Sequence, residues 1–227
     1  MDREFFKFPR TPHLFSLSSK PLRGDRILSS SEAISFLEGD VVIEEKVDGA
    51  NIGISVSPER TILVQNRGAH IGRPVPAQFQ PLNSWLGSRS DQLLQALGQK
   101  FILFGEWCYA VHSIHYDNLP DWFIGFDIYD RVNRKFFSAD RRDKLLRKLH
   151  ISAAPRVAAG YFSIGEVTKL VEKTPSAFGP ASVEGLYFRR ESDGWLEQRA
   201  KCVRPEFMGA ISDHWSSRPL SRNHISR

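Results

Sequence analysis

Cysteine is scarce in this sequence, and its scarcity excludes several kinds of scaffold. The 227 residues contain only Cys108 and Cys202, which lie far apart and form no CxxC spacing. Disulfide-stapled small domains and most structural zinc sites depend on clustered cysteines. We therefore expect two reduced thiols, rather than a disulfide framework or a cysteine-based zinc site.

Long apolar runs are also missing from the chain. No run approaches the ~18 residues that a membrane-spanning helix needs. The first residues, MDREFFKFPRTPHLF, carry too much charge for a signal peptide. The sequence shows no internal repeat and no low-complexity block. Together these absences predict a soluble, cytoplasmic protein.

The charge and the apolar content fit one basic globular unit. Hydrophobic residues make up 41% of the chain, which is enough for a core and excludes global disorder. Lysine and arginine total 31 against 26 acidic residues, so the formal net charge is +5. This excess permits a polyanionic partner without requiring one. We expect one domain over residues 1–210 and a loose basic tail over residues 211–227.

Apolar segments bounded by turn formers predict a sheet of mainly antiparallel strands. A meander is expected over residues 41–47, 51–57 and 61–67, because Asp48-Gly49 and a Pro-Glu-Arg turn separate them. Further strands are expected at residues 101–109 and 122–130, and a final hairpin at 183–190 and 195–203.

Capping signals place the helices between these strands. The signals are the capping-box pairs Ser29 with Glu32 and Ser163 with Glu166, the N-cap Ser138 and the C-cap Gly98. Helices do not alternate one-for-one with strands, which favours an α+β fold over a doubly wound parallel sheet.

Lys46 stands out within EEKVDGANIGI, residues 44–54, because a lysine sits in an apolar strand-like segment. Lone strand lysines nearly always reach water along their stems. Alternatively, Lys46 is a nucleophile at the mouth of a pocket. At an ordinary pKa of about 10.4, only about one lysine in a thousand is neutral near pH 7. A site that uses the amine must disfavour the cation, by burial or by nearby positive charge.

The segment Lys-Val-Asp-Gly resembles motif I, KxDG, of the covalent nucleotidyltransferases, which are the ATP-dependent DNA ligases, the RNA ligases and the mRNA capping enzymes. The family's other motifs follow in order. They are NRG at residues 66–68, FGEW at 104–107, FDIYD at 126–130, EGLYFRR from Glu184, and EQRAKCVRPEF with Arg199 and Lys201. The resemblance implies an α+β nucleotidyltransferase fold, the ATP-grasp-like catalytic domain of DNA ligases and capping enzymes, with largely antiparallel sheets flanked by helices.

The resemblance also implies a role for each motif residue. Lys46 would attack the α-phosphorus of ATP and form lysyl-AMP, with release of pyrophosphate. The AMP would then pass to an RNA 5′-phosphate, and a neighbouring 3′-hydroxyl would displace the AMP to make the phosphodiester. The other implied roles are a phosphate contact for Arg67, a ribose contact for Glu106, adenine stacking for Phe126, and α-phosphate contacts for Arg199 and Lys201.

The remaining roles concern the metal ion and the edge of the nucleotide. Asp48 and Glu184 would hold the hydration shell of Mg²⁺, with Mn²⁺ as an alternative. Glu45 would lie in reach of the adenine or ribose edge, and Asn51, which follows motif I, would bind the nucleotide. Arg199 and Lys201 would also help to lower the pKa of Lys46.

The form KVDGAN and its short distance from FGEW are similar to RNA ligases of the phage RNA-repair and kinetoplastid-editing type. The implied partners are RNA 5′-phosphate and 3′-hydroxyl ends, in a nicked duplex or a broken loop. About 26 residues follow Lys201, too few for the OB domain of DNA ligases and capping enzymes, so we expect none. The chain would then be a minimal ligase or would depend on an accessory RNA-binding partner. A basic groove for RNA would include Arg189, Arg190 and Arg204. The alternative, that these three arginines simply lie on a solvent-exposed face, is supported at least as well by the sequence.

Alternatives remain open at this point. A DNA ligase or a capping-type guanylyltransferase shares the same motifs, and a non-catalytic protein of this fold could bind RNA ends. His112 and His115 form an HxxH spacing, but this segment resembles a loop and lacks the helical glutamate of a zinc protease. We expect an RNA contact or a structural hydrogen bond there rather than a zinc site.

Overall fold

The computed structural model describes residues 5–18, 24–73, 75–208 and 220–226. In these ranges the helices are α1 (Ser30–Leu37), α2 (Leu82–Gly87), α3 (Ser90–Leu97), α4 (Ala139–Lys148), α5 (Ile164–Lys173) and α6 (Pro205–Met208), with a 3₁₀ turn at Ala77–Phe79. The strands are β1 (Val41–Glu45), β2 (Ala50–Val56), β3 (Ile62–Gln65), β4 (Phe101–Trp107), β5 (Phe123–Asp130), β6 (Lys135–Phe137), β7 (Ser152–Ala153), β8 (Arg156–Gly160), β9 (Gly185–Ser192) and β10 (Trp195–Val203).

The strands form one sheet in the order β3-β2-β4-β5-β6-β10-β9-β1-β8. Every neighbouring pair along this path is antiparallel, and β7 pairs with β5 in the parallel sense. The predicted α+β class with a largely antiparallel sheet is therefore confirmed. The predicted hairpin of β9 and β10 is present as well.

The predicted three-strand meander is wrong at its first turn. Strands β2 and β3 do form a hairpin, but β1 pairs with β8 and β9 on the other side of the sheet. Asp48-Gly49 is thus a crossover and not a hairpin turn. Gly49 is needed for close approach, because a Cβ there would lie 2.9 Å from the Trp107 carbonyl oxygen. A glycine required by packing against β4 produces the same sequence signal as a glycine required by a turn.

The helix ends follow the capping signals of the sequence. Both capping boxes are present, since the Ser29 and Ser163 backbone N–H groups donate to the Glu32 and Glu166 carboxylates at 2.8 Å. Ser138 caps α4. These bonds satisfy N–H groups that have no partner within the helix. No helix in the described ranges reaches the length and apolarity that a bilayer crossing demands.

Buried charges join strands β9 and β1 to β5 across the sheet. Arg189 on β9 donates to the Asp127 carboxylate on β5 at 2.6 Å. Arg142 on α4 makes two hydrogen bonds to Glu44 on β1, at 2.6 and 2.9 Å, and one to the Phe126 carbonyl on β5 at 2.7 Å. These contacts bring the end of β1 close to β5, with a cleft between them.

The C-terminal segment is docked over residues 220–226, so the expectation of a loose tail is wrong for this part; residues 209–219 and 227 lie outside the described residues. Asn223 is buried, and its side chain donates to the Cys108 carbonyl at 2.8 Å and accepts from the Tyr116 N–H at 2.8 Å. Backbone bridges pair Arg222 with Ala110. The segment is anchored by the hydrogen bonds of one asparagine amide rather than by a periodic pattern of apolar residues. Its docking therefore could not be predicted from the sequence.

Candidate active site

A cleft with about 710 Å³ of open space lies between the two halves of the sheet. Seven of the predicted site residues line it, namely Glu45, Lys46, Asn51, Arg67, Glu106, Phe126 and Lys201. These residues come from five separate motifs along the chain, and the fold brings them together at one place.

Lys46 is held in this cleft by an ion pair. It directly follows β1, and its backbone N–H donates to the Gly185 carbonyl at 3.0 Å. The side-chain ammonium donates to Glu184 Oε2 at 2.5 Å, and only 25% of the Lys46 side chain is exposed. The amine is therefore directed into the cleft, rather than extended into water from a strand edge.

Carboxylates control the charge of Lys46. Burial opposes its charge, but the attraction of Glu184, Glu106 and Asp48 outweighs burial and raises the pKa of Lys46 above its ordinary value. We predicted the opposite direction, on the basis of cationic neighbours from β10. That prediction is wrong because three carboxylates act on the ammonium more strongly than the cations do. In this structure the cation is the favoured form of Lys46.

Glu106 and Asn51 lie directly opposite each other on β4 and β2. Each has a buried polar atom, Glu106 Oε2 and Asn51 Nδ2, that finds no hydrogen-bond partner among the described residues. Burial raises the pKa of Glu106 to about 8, against the attraction of Lys46 and Arg67. Buried polar atoms are nearly always paired, so two adjacent unpaired atoms lining a cleft indicate where a polar ligand binds.

Asp48 has a structural function that the sequence did not indicate. Its carboxylate accepts from the Ser113 and Ile114 backbone N–H groups at 2.6 and 3.0 Å, and its own N–H donates to the Tyr116 hydroxyl at 2.9 Å. Asp48 therefore fixes the loop between β4 and β5 against the segment that carries Lys46. Its role toward a metal ion stays a prediction.

The basic pair on β10 divides between two environments. Lys201 lines the cleft and donates to Asp25 at 2.5 Å. Burial lowers the pKa of Lys201, an effect that Asp25 opposes. Arg199 instead donates to Asp127 at 3.1 Å and stacks on the Phe136 ring. It is not among the residues that line the cleft, because a buried carboxylate on β5 holds its guanidinium away from Lys201.

The sequence of this chain matches a known protein family. A sequence model of the RNA ligase family matches residues 39–203, which is well over half of the chain. The chain belongs to the RNA ligase family. The matched range contains every residue that the motifs predict for the nucleotide site, from Glu45 to Lys201. No curated protein sequence matches the chain.

Solved structures show the same fold at low sequence identity. Naegleria gruberi RNA ligase with PPi superimposes with a TM-score of 0.63 at 19% identity, over 81% of this chain and 55% of that one. A variant of that ligase with ATP and Mn gives 0.65 at 17%, over 92% and 59%. A putative ATP-dependent DNA ligase from Aquifex aeolicus gives 0.58 at 15%, over 92% and 52%. The chain spans less than two thirds of the length of these relatives.

One wall of the cleft is formed by residues outside the predicted RNA ligase motifs. The N-terminal segment supplies Phe8, Arg10, Thr11 and Asp25 to the lining. It reaches the site by pairing with β10, where the Lys201 N–H donates to the Pro12 carbonyl at 2.9 Å. The sequence FKFPRTPHLF mixes aromatic and basic residues without a strand or helix period, so its pattern predicts neither a strand nor a helix.

His13, in the same segment, is buried beside Lys201. Its Nδ1 has no hydrogen-bond partner among the described residues, and its Nε2 lies 4.0 Å from Asp25. Burial, and then the positive charge of Lys201, lower the pKa of His13 to about 4. The imidazole is therefore neutral near pH 7, and it adds no charge to the cluster formed by Lys201 and Asp25.

Glu45 and Phe126 also line the cleft. The Glu45 carboxylate accepts from the Ser176 hydroxyl at 2.6 Å and the Ala177 N–H at 2.9 Å. Burial raises the pKa of Glu45, and these two hydrogen bonds oppose that rise. The Phe126 ring contacts Phe8 edge-on at 5.4 Å. The nucleotide contacts expected of Glu45 and Phe126 stay predictions.

The arginines suggested for an RNA groove are engaged elsewhere. Arg189 is fully buried, and besides Asp127 it binds Glu191 at 2.6 Å, so its assignment to a surface groove is wrong. It lies on the inner face of β9, where only paired charges are tolerated. Arg190 donates to the Ser35 carbonyl at 2.8 Å, and Arg204 donates to Glu206.

The HxxH histidines contact different partners. His112 Nε2 lies 3.1 Å from the Gln78 side-chain oxygen, which fits the expected structural hydrogen bond. His115 Nδ1 lies 3.3 Å from Asp117 Oδ1.

Proposed function

We propose that this chain is an ATP-dependent RNA ligase that uses Lys46 as its nucleophile. The observation that carries the proposal is the position of the Lys46 amine. The amine donates to Glu184 and lies in the same cleft as Glu106 and Asn51, whose buried polar atoms lack partners among the described residues. A merely structural lysine has no need of such surroundings.

The chemistry consists of three displacements at phosphorus. The Lys46 Nζ forms a bond to the α-phosphorus of ATP, pyrophosphate leaves, and the amine loses its proton. An RNA 5′-phosphate oxygen then takes the AMP and frees Lys46. Finally an RNA 3′-hydroxyl attacks the activated 5′-phosphorus, so that a phosphodiester forms and AMP leaves. The covalent intermediate divides one difficult joining reaction into easier steps.

The site holds Lys46 as a cation, so activation requires removal of a proton. Glu184 Oε2, at 2.5 Å from Nζ, is placed to orient the amine and to accept that proton. Lys201 and Arg67, which line the same cleft, bring positive charge to the triphosphate. Lys201 would flank the α-phosphate alone, because Arg199 is bound to Asp127.

A divalent cation fits the donor set. Three carboxylates, those of Asp48, Glu106 and Glu184, act on one ammonium, and oxygen donors are the ligands that Mg²⁺ and Mn²⁺ prefer. Asp48 and Glu184 would hold the ion through water. Bound there, the ion supplies positive charge that shields the phosphates and weakens the hold of these carboxylates on the Lys46 proton. Mn in the structures of the Naegleria ligase supports divalent metal use.

RNA ends are the substrate that family membership favours, in the setting of RNA repair. We assign catalysis to an adenylyltransferase domain over residues 1–210, with an accessory RNA-binding partner contributing to end recognition. A DNA ligase is the second candidate, because the Aquifex protein shares the fold. Incubation with ATP and Mg²⁺ on matched 5′-phosphate nicks in all-RNA, RNA–DNA and all-DNA duplexes separates the two. We expect sealing of RNA-containing nicks, whereas product on the all-DNA nick alone would overturn the RNA assignment.

A further inference from the structure

Three potential metal ligands from distant parts of the chain meet at the surface. His115 and Asp117 lie in the loop between β4 and β5, and His224 lies in the docked C-terminal segment. The Nδ1 atoms of His115 and His224 lie 3.3 and 3.7 Å from the same oxygen, Asp117 Oδ1. One ligand atom from each residue falls within 4.8 Å of the other two. All three side chains are exposed, and the cluster is separate from the cleft.

Hydrogen bonds that do not involve the three ligand side chains hold this cluster together. The His224 N–H donates to the Tyr116 carbonyl at 2.8 Å, and the Leu119 N–H donates to the His224 carbonyl at 3.0 Å. Buried Asn223 anchors the adjoining position. The Asp117 N–H donates to the Phe178 carbonyl at 3.0 Å. The three ligands are therefore brought near one another before any ion binds, which reduces the entropy cost of binding.

We propose that His115, Asp117 and His224 bind a transition-metal ion such as Zn²⁺. A tetrahedral zinc with ligands at about 2.0–2.1 Å separates its ligand atoms by about 3.4 Å. The two distances to Asp117 Oδ1 lie close to that value. Two imidazoles and one carboxylate suit zinc or cobalt better than Mg²⁺, which prefers oxygen ligands throughout. Water would fill the fourth position.

The site has a direct consequence for the loop that holds Asp48. That loop donates two backbone N–H groups to the Asp48 carboxylate from Ser113 and Ile114, immediately before His115. A metal bound at the cluster cross-links the loop to the C-terminal segment. Since the unfolded chain does not assemble the three ligands, the ion stabilises the folded chain by mass action. This inference does not depend on the proposed ligase activity.

Metal titration of the full-length chain without a histidine tag tests the proposal. The protein is stripped with a chelator and titrated with Co²⁺ and then with Zn²⁺, while Co²⁺ absorbance and thermal unfolding are followed. We expect one tetrahedral Co²⁺ per chain, seen as a saturable visible spectrum, and a higher unfolding temperature with Zn²⁺. His224→Ala and Asp117→Asn should each abolish both effects.

His112→Ala is the matched control, because it removes a histidine from the same loop but outside the cluster. It should keep the stoichiometry and the Co²⁺ spectrum of the unaltered chain. Three outcomes would overturn the proposal: no saturable binding by the unaltered chain, binding that survives both cluster substitutions, or binding that His112→Ala abolishes.

Discussion

The ammonium of Lys201 lies 2.5 Å from the carboxylate of Asp25, which is 176 positions earlier in the chain. Both side chains line the cleft. An ion pair at this place competes with a bound triphosphate for the same lysine. We therefore expect Asp25 to limit the positive charge that Lys201 presents to a nucleotide.

Asp25→Asn should tighten ATP binding, because it removes the carboxylate that competes for Lys201. A partly exposed ion pair is worth up to about 1 kcal/mol, so we expect the Kd for ATP to fall by about fivefold. Calorimetric titration with ATP measures this change. Asp140→Asn, which removes an exposed carboxylate bound to Arg156, should leave the Kd unaltered. A weaker affinity in Asp25→Asn would show that Asp25 positions Lys201 instead.

Glu106→Gln should stabilise the fold at high pH while it impairs AMP transfer. Burial raises the pKa of Glu106 to about 8 from an ordinary value of 4.5. The folded chain therefore keeps a proton that the unfolded chain releases. This contribution to stability is fully present below about pH 4.5 and is lost as the pH rises to about 8. A neutral amide removes that loss.

The free energy of unfolding of Glu106→Gln and of the unaltered chain, from urea titrations at several pH values, tests this sign. Their difference should grow in favour of Glu106→Gln between about pH 5 and about pH 8 and then level off. Glu197→Gln, an exposed carboxylate paired with Lys135, is the control and should show no such trend. A difference that shrinks with rising pH would refute the assigned charge state.

Asn223→Ala should destabilise the folded chain. The substitution removes the acceptor of the Tyr116 N–H and the donor to the Cys108 and Ala110 carbonyls, all in a buried place. Leaving such groups unpaired costs about 1–3 kcal/mol. Urea unfolding measures the loss, with Ser226→Ala as a control that removes one half-buried hydrogen bond to Leu119. Equal unfolding midpoints for Asn223→Ala and the unaltered chain would mean that the docked segment adds nothing to stability.

Sequence reasoning succeeded where the signal was local. The capping boxes at Ser29 and Ser163, and the hairpin of β9 and β10, depend on residues a few positions apart. Most motif residues lie in one cleft, because each short motif lies in a strand or directly beside one. The partners of β1 could not be predicted, since β8 and β9 lie more than a hundred positions away and turn chemistry says nothing about them.

Long-range charge pairing accounts for the errors within the site. The carboxylates around Lys46 reversed the predicted direction of its pKa change. Asp127 binds both Arg189 and Arg199. These bonds keep Arg189 buried and hold Arg199 outside the cleft lining. Asp25 reaches Lys201 from a segment without a motif. Apart from Asp48, which lies two positions from Lys46, these groups come from distant parts of the sequence, so composition and spacing alone could not reveal their contacts.

Covalent labelling of Lys46 tests the central claim most directly. The unaltered chain, Lys46→Ala and Lys46→Arg are each incubated with ATP and Mg²⁺ and weighed by intact-protein mass spectrometry, and the labelled peptide is sequenced. We predict that the unaltered chain gains one AMP on Lys46 and that neither variant gains any, because arginine keeps the charge but remains protonated. An AMP gained by Lys46→Ala, or found on another residue of the unaltered chain, would contradict the account.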